Sequence, residues 1–279
     1  MNRALLASLT VLVACSSPTP AEPLPQAAAE ANATTELAET VVTPTEPETV
    51  TYEVVNTFPH DPTAFTQGLF IHDGALYEST GRYGTSTLRR VDLETGELER
   101  VRALPGQYFG EGSAAVDNTI VMLTWRSGVG IVFNRETFAP QRSFTYPGEG
   151  WGLTGDGTKL YLSDGSPVIR VLDPTTFAQT GELTVTYAGS PLPRLNELEW
   201  IDGEIWANVW QTDQIAIIDP KSGAVTRLID LTGLHPASER DVPLDDVLNG
   251  IAYNATTGQI YVTGKNWPQL YEIRLVDQD

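Results

Sequence analysis

Short alternating strands, five recurrences of one pattern and the near absence of helical periodicity predict an all-β fold, a five-bladed β-propeller closed by an N-terminal strand. Almost every segment after residue 50 is a β-branched or alternating run bounded by Gly, Asp, Asn or Pro. The first unit opens with "AFTQGLFIHDGALYEST" and closes with "TLRRVDLETGEL"; the second runs from "YFGEGSAAVDNTIVMLTW" to "GIVFNRETFAP". The third runs from "GEGWGLTGDGTKLYLSDG" to "VIRVLDPTTFAQ", and the fourth from "RLNELEWIDGEIWANVWQ" to "IAIIDPKSGAV". The fifth is "VLNGIAYNATTGQIYVTGKN" to "QLYEIRLV". With Gly68, Gly112, Gly152, Glu197 and Gly250 as markers, the steps are 44, 40, 45 and 53 residues. Each unit shows three strands clearly and a fourth, "ELERVRAL" or "RSFTYP" in type, less clearly. Four strands per unit of this length is the pattern of a propeller blade, here without the Trp-Asp dipeptide of one common blade type. The last blade needs an outer strand from the other end of the chain, or it keeps an open edge. Residues 50–60, "VTYEVVNTFPH", fit that position. A pair of β-sandwiches does not explain the spacing.

The chain ends carry different signals. Asn2 and Arg3 precede the apolar run "ALLASLTVLVA", too short to span a bilayer, which ends at Cys15. "LVAC" has the form of a bacterial lipoprotein processing site, so residues 1–14 read as a lipoprotein signal peptide and Cys15 as the lipidated residue. A diacylglyceryl thioether with an N-acyl chain anchors stably. Ser16 is not the retention-type Asp, so the expected location is the cell envelope, lipid-anchored at the outer membrane or periplasm of a diderm bacterium. Cys15 is the only cysteine, so no disulfide framework is available. Residues 15–49 are an acidic, Pro/Ala/Thr-rich tether without Lys or Arg, and they are expected to be disordered. Residues 50–279 form the propeller domain. A net charge of −19 argues against nucleic-acid binding, and a monomer is expected.

Blade topology states which residues meet. The innermost strand begins on the face where the antiparallel second strand ends. Strand starts contribute Phe65, Gln67, Phe109, Glu111, Trp151, Asn196 and Asn249; strand ends contribute Glu78, Trp125, Asp164, Trp210, Lys265 and Asn266. Amides, carboxylates, a lysine and three tryptophans are unlike the Ser, Thr, Asp and Gly turn chemistry of a purely structural rim. Glu111 stands between Gly110 and Gly112, which allow close backbone approach there.

The stretches "FTQGL", "YFGEGSA", "LTWRSG", "GEGWGLT", "LNELEW", "NVWQTDQI", "LNGIAY" and "VTGKNWP" resemble the plant and bacterial type of glutaminyl-peptide cyclotransferase (glutaminyl cyclase) over residues 55–275. The resemblance implies a five-bladed propeller that converts the N-terminal glutamine of peptides or proteins to pyroglutamate with release of ammonia. It implies Glu111 as the proton shuttle, a role worth roughly 10² to 10⁴ in rate. Asn196, Gln67 and Lys265 match family positions that bind the amide and the developing oxyanion. Phe65, Phe109, Trp125, Trp151 and Trp210 match its aromatic wall. The animal-type enzyme of the same name is an unrelated zinc protein, and His60, His72 and His235 have no zinc spacing. No cofactor is required. Some members carry a metal ion in the central channel; with no recognisable ligand loop here, such an ion would be structural, held by backbone carbonyls or waters. The alternative class is a non-catalytic periplasmic propeller whose pocket holds a peptide or sugar. A propeller lyase or lactonase needs a ligand cluster around calcium, for which three scattered histidines are poor material.

Overall fold

The computed structural model describes residues 46–276. The signal segment, Cys15 and the tether as far as residue 45 lie outside the described residues. β1 (Glu48–Pro59) comes first. Antiparallel meanders follow: β2 (Thr66–His72), β3 (Ala75–Thr80), β4 (Thr87–Val91) and β5 (Leu98–Ala103), then β6 (Gly110–Val116), β7 (Thr119–Thr124), β8 (Val129–Asn134) and β9 (Pro140–Thr145). The third meander is β10 (Leu153–Gly155), β11 (Leu160–Leu162), β12 (Val168–Leu172) and β13 (Gln179–Thr184), trailed by the small hairpin β14 (Thr186–Tyr187) and β15 (Ser190–Pro191). Next are β16 (Leu195–Ile201), β17 (Glu204–Val209), β18 (Gln214–Ile218) and β19 (Val225–Asp230), and finally β20 (Leu248–Asn254), β21 (Gln259–Gly264) and β22 (Gln269–Val276). The described residues contain no α-helix, only a 3₁₀ turn at Ala237–Glu239.

Turn chemistry sets the meanders locally. Asp73-Gly74 and Asp202-Gly203 link the first and second strands of their meanders with both residues at positive φ, the two-residue turn whose twist suits a hairpin. Between third and fourth strands a second signature recurs. Asp92, Asn134, Asp173 and Asp219 each accept a hydrogen bond from a hydroxyl three residues on, at Thr95, Thr137, Thr176 and Ser222. The fifth meander has no such turn, because its outer neighbour is not the next segment of chain. β1 pairs antiparallel with β22 from Thr51 to Pro59, and its first residues, Glu48–Val50, pair parallel with β19. The strand therefore starts two residues before the position read from the sequence, since Glu48 and Thr49 find partners on β19 that local alternation does not reveal.

Burial falls outward through each meander. β2 and β6 are buried along most of their length, whereas β5 is exposed throughout. The first strands adjoin one another in order, β2 beside β6, β6 beside β10, β10 beside β16 and β16 beside β20, and β20 returns to β2. Apolar clusters fill the spaces between successive meanders, for example Leu88, Ile120 and Phe138 between the first and second. Another, with Phe58, Leu69 and Tyr261, joins the last meander to the first. Burying both faces of each sheet supplies most of the driving force, and it brings the starts of the first strands together at one end.

Candidate active site

The inner strands do not begin in regular register. Pairing skips Gln67 between Thr66 and Gly68, skips Glu111 between Gly110 and Ser113, skips Asn196 between Leu195 and Leu198, and skips Asn249 between Leu248 and Ile251. A bulge leaves its extra residue unpaired and turns that side chain away from the ladder. So Gln67, Glu111 and Asn196 are released towards the end of the ring. Gly112 makes this possible beside Glu111: its N–H donates to the Trp151 carbonyl at 2.6 Å, and a Cβ there would lie 2.6 Å from that same oxygen. At the ends of second strands, Trp125, Trp210 and Lys265 each donate a backbone N–H to a residue before a neighbouring first strand, namely Phe109, Arg194 and Val247. In the first meander that place is taken by Gly81, which donates to Phe65, and a Cβ there would sit 2.3 Å from the ring of Phe109.

The result is a cavity of about 230 Å³. Phe65, Gln67, Phe109, Glu111, Trp125, Trp151, Asn196, Trp210 and Lys265, all read from the sequence, line it together with Arg82 and Asp245. Phe109 meets Phe65 edge-on with centroids 6.1 Å apart and lies 5.4 Å from Trp125; Trp151 and Trp210 meet edge-on at 5.4 Å. Glu111 is 4% exposed. Its carboxyl has no hydrogen-bond partner among the described residues, and burial pushes its pKa well above the usual carboxylate range, against the pull of Lys265 and with the repulsion of Glu149. Burial lowers the Lys265 ammonium to about 8, although Glu111 and Asp245 favour its charged form. Its Nζ lies 4.8 Å from the centre of the Phe65 ring. Asn196 presents a buried Oδ1 without a partner, an acceptor left free for a bound molecule. Gln67 Oε1 accepts from Asn249 Nδ2 at 3.4 Å, which leaves the Gln67 NH2 to face the cavity.

Four residues assigned to this ring by strand position lie elsewhere. Glu78 is inside β3, not at its end, because that strand continues to Thr80. It accepts hydrogen bonds from His60 and Thr66 and pairs with Arg89, and these partners bring its pKa below the usual value despite burial. Asp164 pairs with Arg170 at 3.4 Å. Asn266 donates to Asp246 Oδ1. Asn249 stands behind the lining, holding Gln67 and the Thr66 carbonyl. Conversely, Arg82 and Asp245 escaped the sequence reading. They form a 2.6 Å ion pair, each nearly half exposed, and the Arg82 guanidinium stacks 3.9 Å from the centre of Phe65. Asp245 belongs to the insertion that lengthens the last repeat step to 53 residues, so the spacing held the only trace of it.

Among the described residues no group of three or more His, Cys, Asp or Glu is placed to hold a metal. Inside the ring of first strands, Glu197 accepts the backbone N–H groups of Leu69 and Ile251 on two other first strands, and Glu199 accepts that of Tyr253. Burial raises the pKa of both carboxyl groups, and the chemistry below uses no metal.

A small aromatic-walled cavity holding one unpaired carboxyl, one buried ammonium and two amides has the size and polarity to receive a compact polar molecule. The chain belongs to the glutamine cyclotransferase family, whose model matches residues 25–275. It is similar to a glutaminyl-peptide cyclotransferase of Arabidopsis thaliana, 42% identical over 229 residues that cover 80% of this chain and 71% of that protein. It is also similar to the crystal structure of Myxococcus xanthus glutaminyl cyclase, with a TM-score of 0.78 and 37% identity, covering 84% of this chain and all of that one. The chain is an enzyme of this class.

Proposed function

We propose that this enzyme cyclises the N-terminal glutamine of peptides or proteins to pyroglutamate, with Glu111 carrying the proton. The supporting observation is the Glu111 carboxyl, buried, without a partner and facing an aromatic cavity that also holds Lys265. The α-amino nitrogen attacks the γ-amide carbon, a C–N bond forms, the bond to the amide nitrogen breaks, and ammonia leaves. The attacking nitrogen must lose a proton and the departing one must gain one. A carboxyl group whose pKa is raised by burial serves both steps, taking the proton from the amine and returning it to the leaving group. Lys265 and the Gln67 NH2 are donors for the oxygen that becomes negative. Asn196 Oδ1 accepts an N–H of the γ-amide. The aromatic wall folds the short side chain back on itself and excludes water.

The test is ammonia release from Gln dipeptides with a free amine, against the same dipeptides N-acetylated. Release from the free amine alone is expected. Tight binding of Gln or other peptides without release would favour the non-catalytic class instead.

The meanders are best read as the five blades of a propeller, with β1 as the outer strand that closes the last; the returning contact of β20 with β2 and the pairing of β1 with β22 support this. Deleting residues 46–59 is then expected to expose the β22 edge and to lower Tm sharply; an unchanged Tm would count against the closure. An envelope location through lipidated Cys15 is part of the same reading, tested by whether Cys15→Ala leaves the membrane fraction.

A further inference from the structure

Glu149 lies outside the cavity lining, in the turn between β9 and β10, yet it touches two of its walls. One carboxylate oxygen, Oε2, accepts both indole N–H groups, from Trp125 at 2.7 Å and from Trp151 at 2.9 Å. The other, Oε1, accepts Arg126 Nε at 3.1 Å, and the Arg126 guanidinium lies 3.8 Å from the centre of the Trp125 ring. The turn itself is fixed. Arg170 donates to the carbonyls of Pro147 and Glu149, and the Gly150 N–H donates to the Trp125 carbonyl.

We infer that Glu149 is a positioning residue for the cyclisation: by joining the indoles of Trp125 and Trp151 through one oxygen, it holds the two aromatic walls at the spacing that receives the substrate. An indole N–H is a donor only, so each tryptophan has one polar tether to offer. The rings come from different meanders, and without a shared acceptor no hydrogen bond to either indole fixes their orientation. Charge-assisted bonds are about twice as strong as neutral ones, which suits a clamp on side chains that must not rotate when substrate enters. Glu149 stays ionised: burial favours its neutral form, but the bonds from Trp151, Trp125 and Arg126 together lower its pKa. Its charge also faces Glu111, alongside Lys265, Arg82, Asp245 and the Tyr146 hydroxyl, and it favours the protonated form of that carboxyl.

The inference rests on the reading of Glu111 as proton carrier, and the experiment separates the two. In a Glu111→Gln background, expected to bind substrate with turnover slowed by about 10² to 10⁴, the Kd of a Gln dipeptide is read from tryptophan fluorescence with and without Glu149→Ala. Loss of the clamp is expected to weaken binding roughly ten- to a hundredfold, the range of hydrogen bonds to a charged group. In the otherwise native enzyme, Glu149→Ala should raise KM by a similar factor while kcat falls less. Glu149→Gln keeps an oxygen for the indoles and should restore most of KM, while the acid limb of its kcat–pH profile moves to lower pH because the charge facing Glu111 is gone. Should the alanine variant fail to fold, Glu149→Asp, one methylene shorter, is expected to raise KM several-fold. Alanine or aspartate variants with Kd and KM within twofold of the parent, or a glutamine variant as impaired as alanine, overturn the inference. A Glu111→Gln enzyme that turns over near the native rate overturns the proton-carrier assignment and leaves the KM comparison at Glu149 to be read independently.

Discussion

Glu111 and Glu197 invite comparison. Both lie in the bulged opening of a first strand, both are almost fully buried at 4% and 1% exposure, and burial raises the pKa of each well above the ordinary value. What separates them is what their oxygens touch. Glu197 accepts N–H groups from Leu69 and Ile251 and so ties three first strands together. Glu111 accepts none and faces empty space beside Lys265. Burial and a shifted pKa therefore do not mark chemistry by themselves; unused hydrogen-bonding capacity next to a cavity does. Glu78 completes the contrast, since His60, Thr66 and Arg89 occupy its oxygens and lower its pKa.

The comparison breaks most readily at Glu111. Glu111→Gln keeps size and polarity but cannot exchange a proton, so kcat on Gln dipeptides is expected to fall by about 10² to 10⁴ with Tm unchanged. Turnover near the native rate would move the proton carrier elsewhere. Lys265→Ala should lower kcat by an amount on the order of 2 to 4 kcal/mol, that of one lost oxyanion donor. Because Lys265 pulls the Glu111 pKa down, its loss should also move the acid limb of the kcat–pH profile upward; an unmoved limb would mean the two groups are not coupled.

Glu197→Ala is the structural counterpart. It strips the acceptor from two buried N–H groups, at about 1 to 3 kcal/mol each, so urea denaturation should show the loss while kcat per folded molecule holds. A collapse of kcat without loss of stability would erase the distinction. The smallest effect concerns pH. Burial raises Glu199 from 4.5 to about 8, against its bonds from the Tyr253 and Trp200 N–H groups and Thr154. The folded form holds that proton more tightly than the unfolded chain, so its contribution is fully present below about 4.5 and is lost as pH rises towards about 8. Glu199→Gln should therefore flatten the decline of stability across that window, measured by urea midpoints at several pH values; an identical slope in both proteins would refute the assignment.

Much of this site was legible before the structure. Every lining residue except Asp245 stands one or two positions from a strand end, and the repeat spacing locates those ends for all of them but Arg82, which lies past the true end of β3. Glu78 failed because the end of β3 was placed two residues early; Gly81, just past Thr80, takes the equivalent position and offers no side chain to read. Glu149 failed for another reason: it sits in a turn whose sequence says only that the chain reverses, and its two tryptophans come from different meanders.

Alternating strands, Asp-Gly turns and the Asp/Asn-x-x-Thr/Ser turns between third and fourth strands are decided by residues within a few positions of one another, so the sequence alone determined the meanders and their number of strands. Contacts between segments far apart in the chain follow no such rule. The pairing of Glu48 with Arg227 depends on which segments the closed packing of the meanders brings together, and so do the reach of Glu197 to Leu69 and Ile251, the clamp of Glu149 on two indoles and the Arg82–Asp245 pair. Only the tertiary structure decided which buried carboxylate is saturated and which is left free, because a hydrogen bond is satisfied by whatever lies within about 3 Å, however distant it is along the chain.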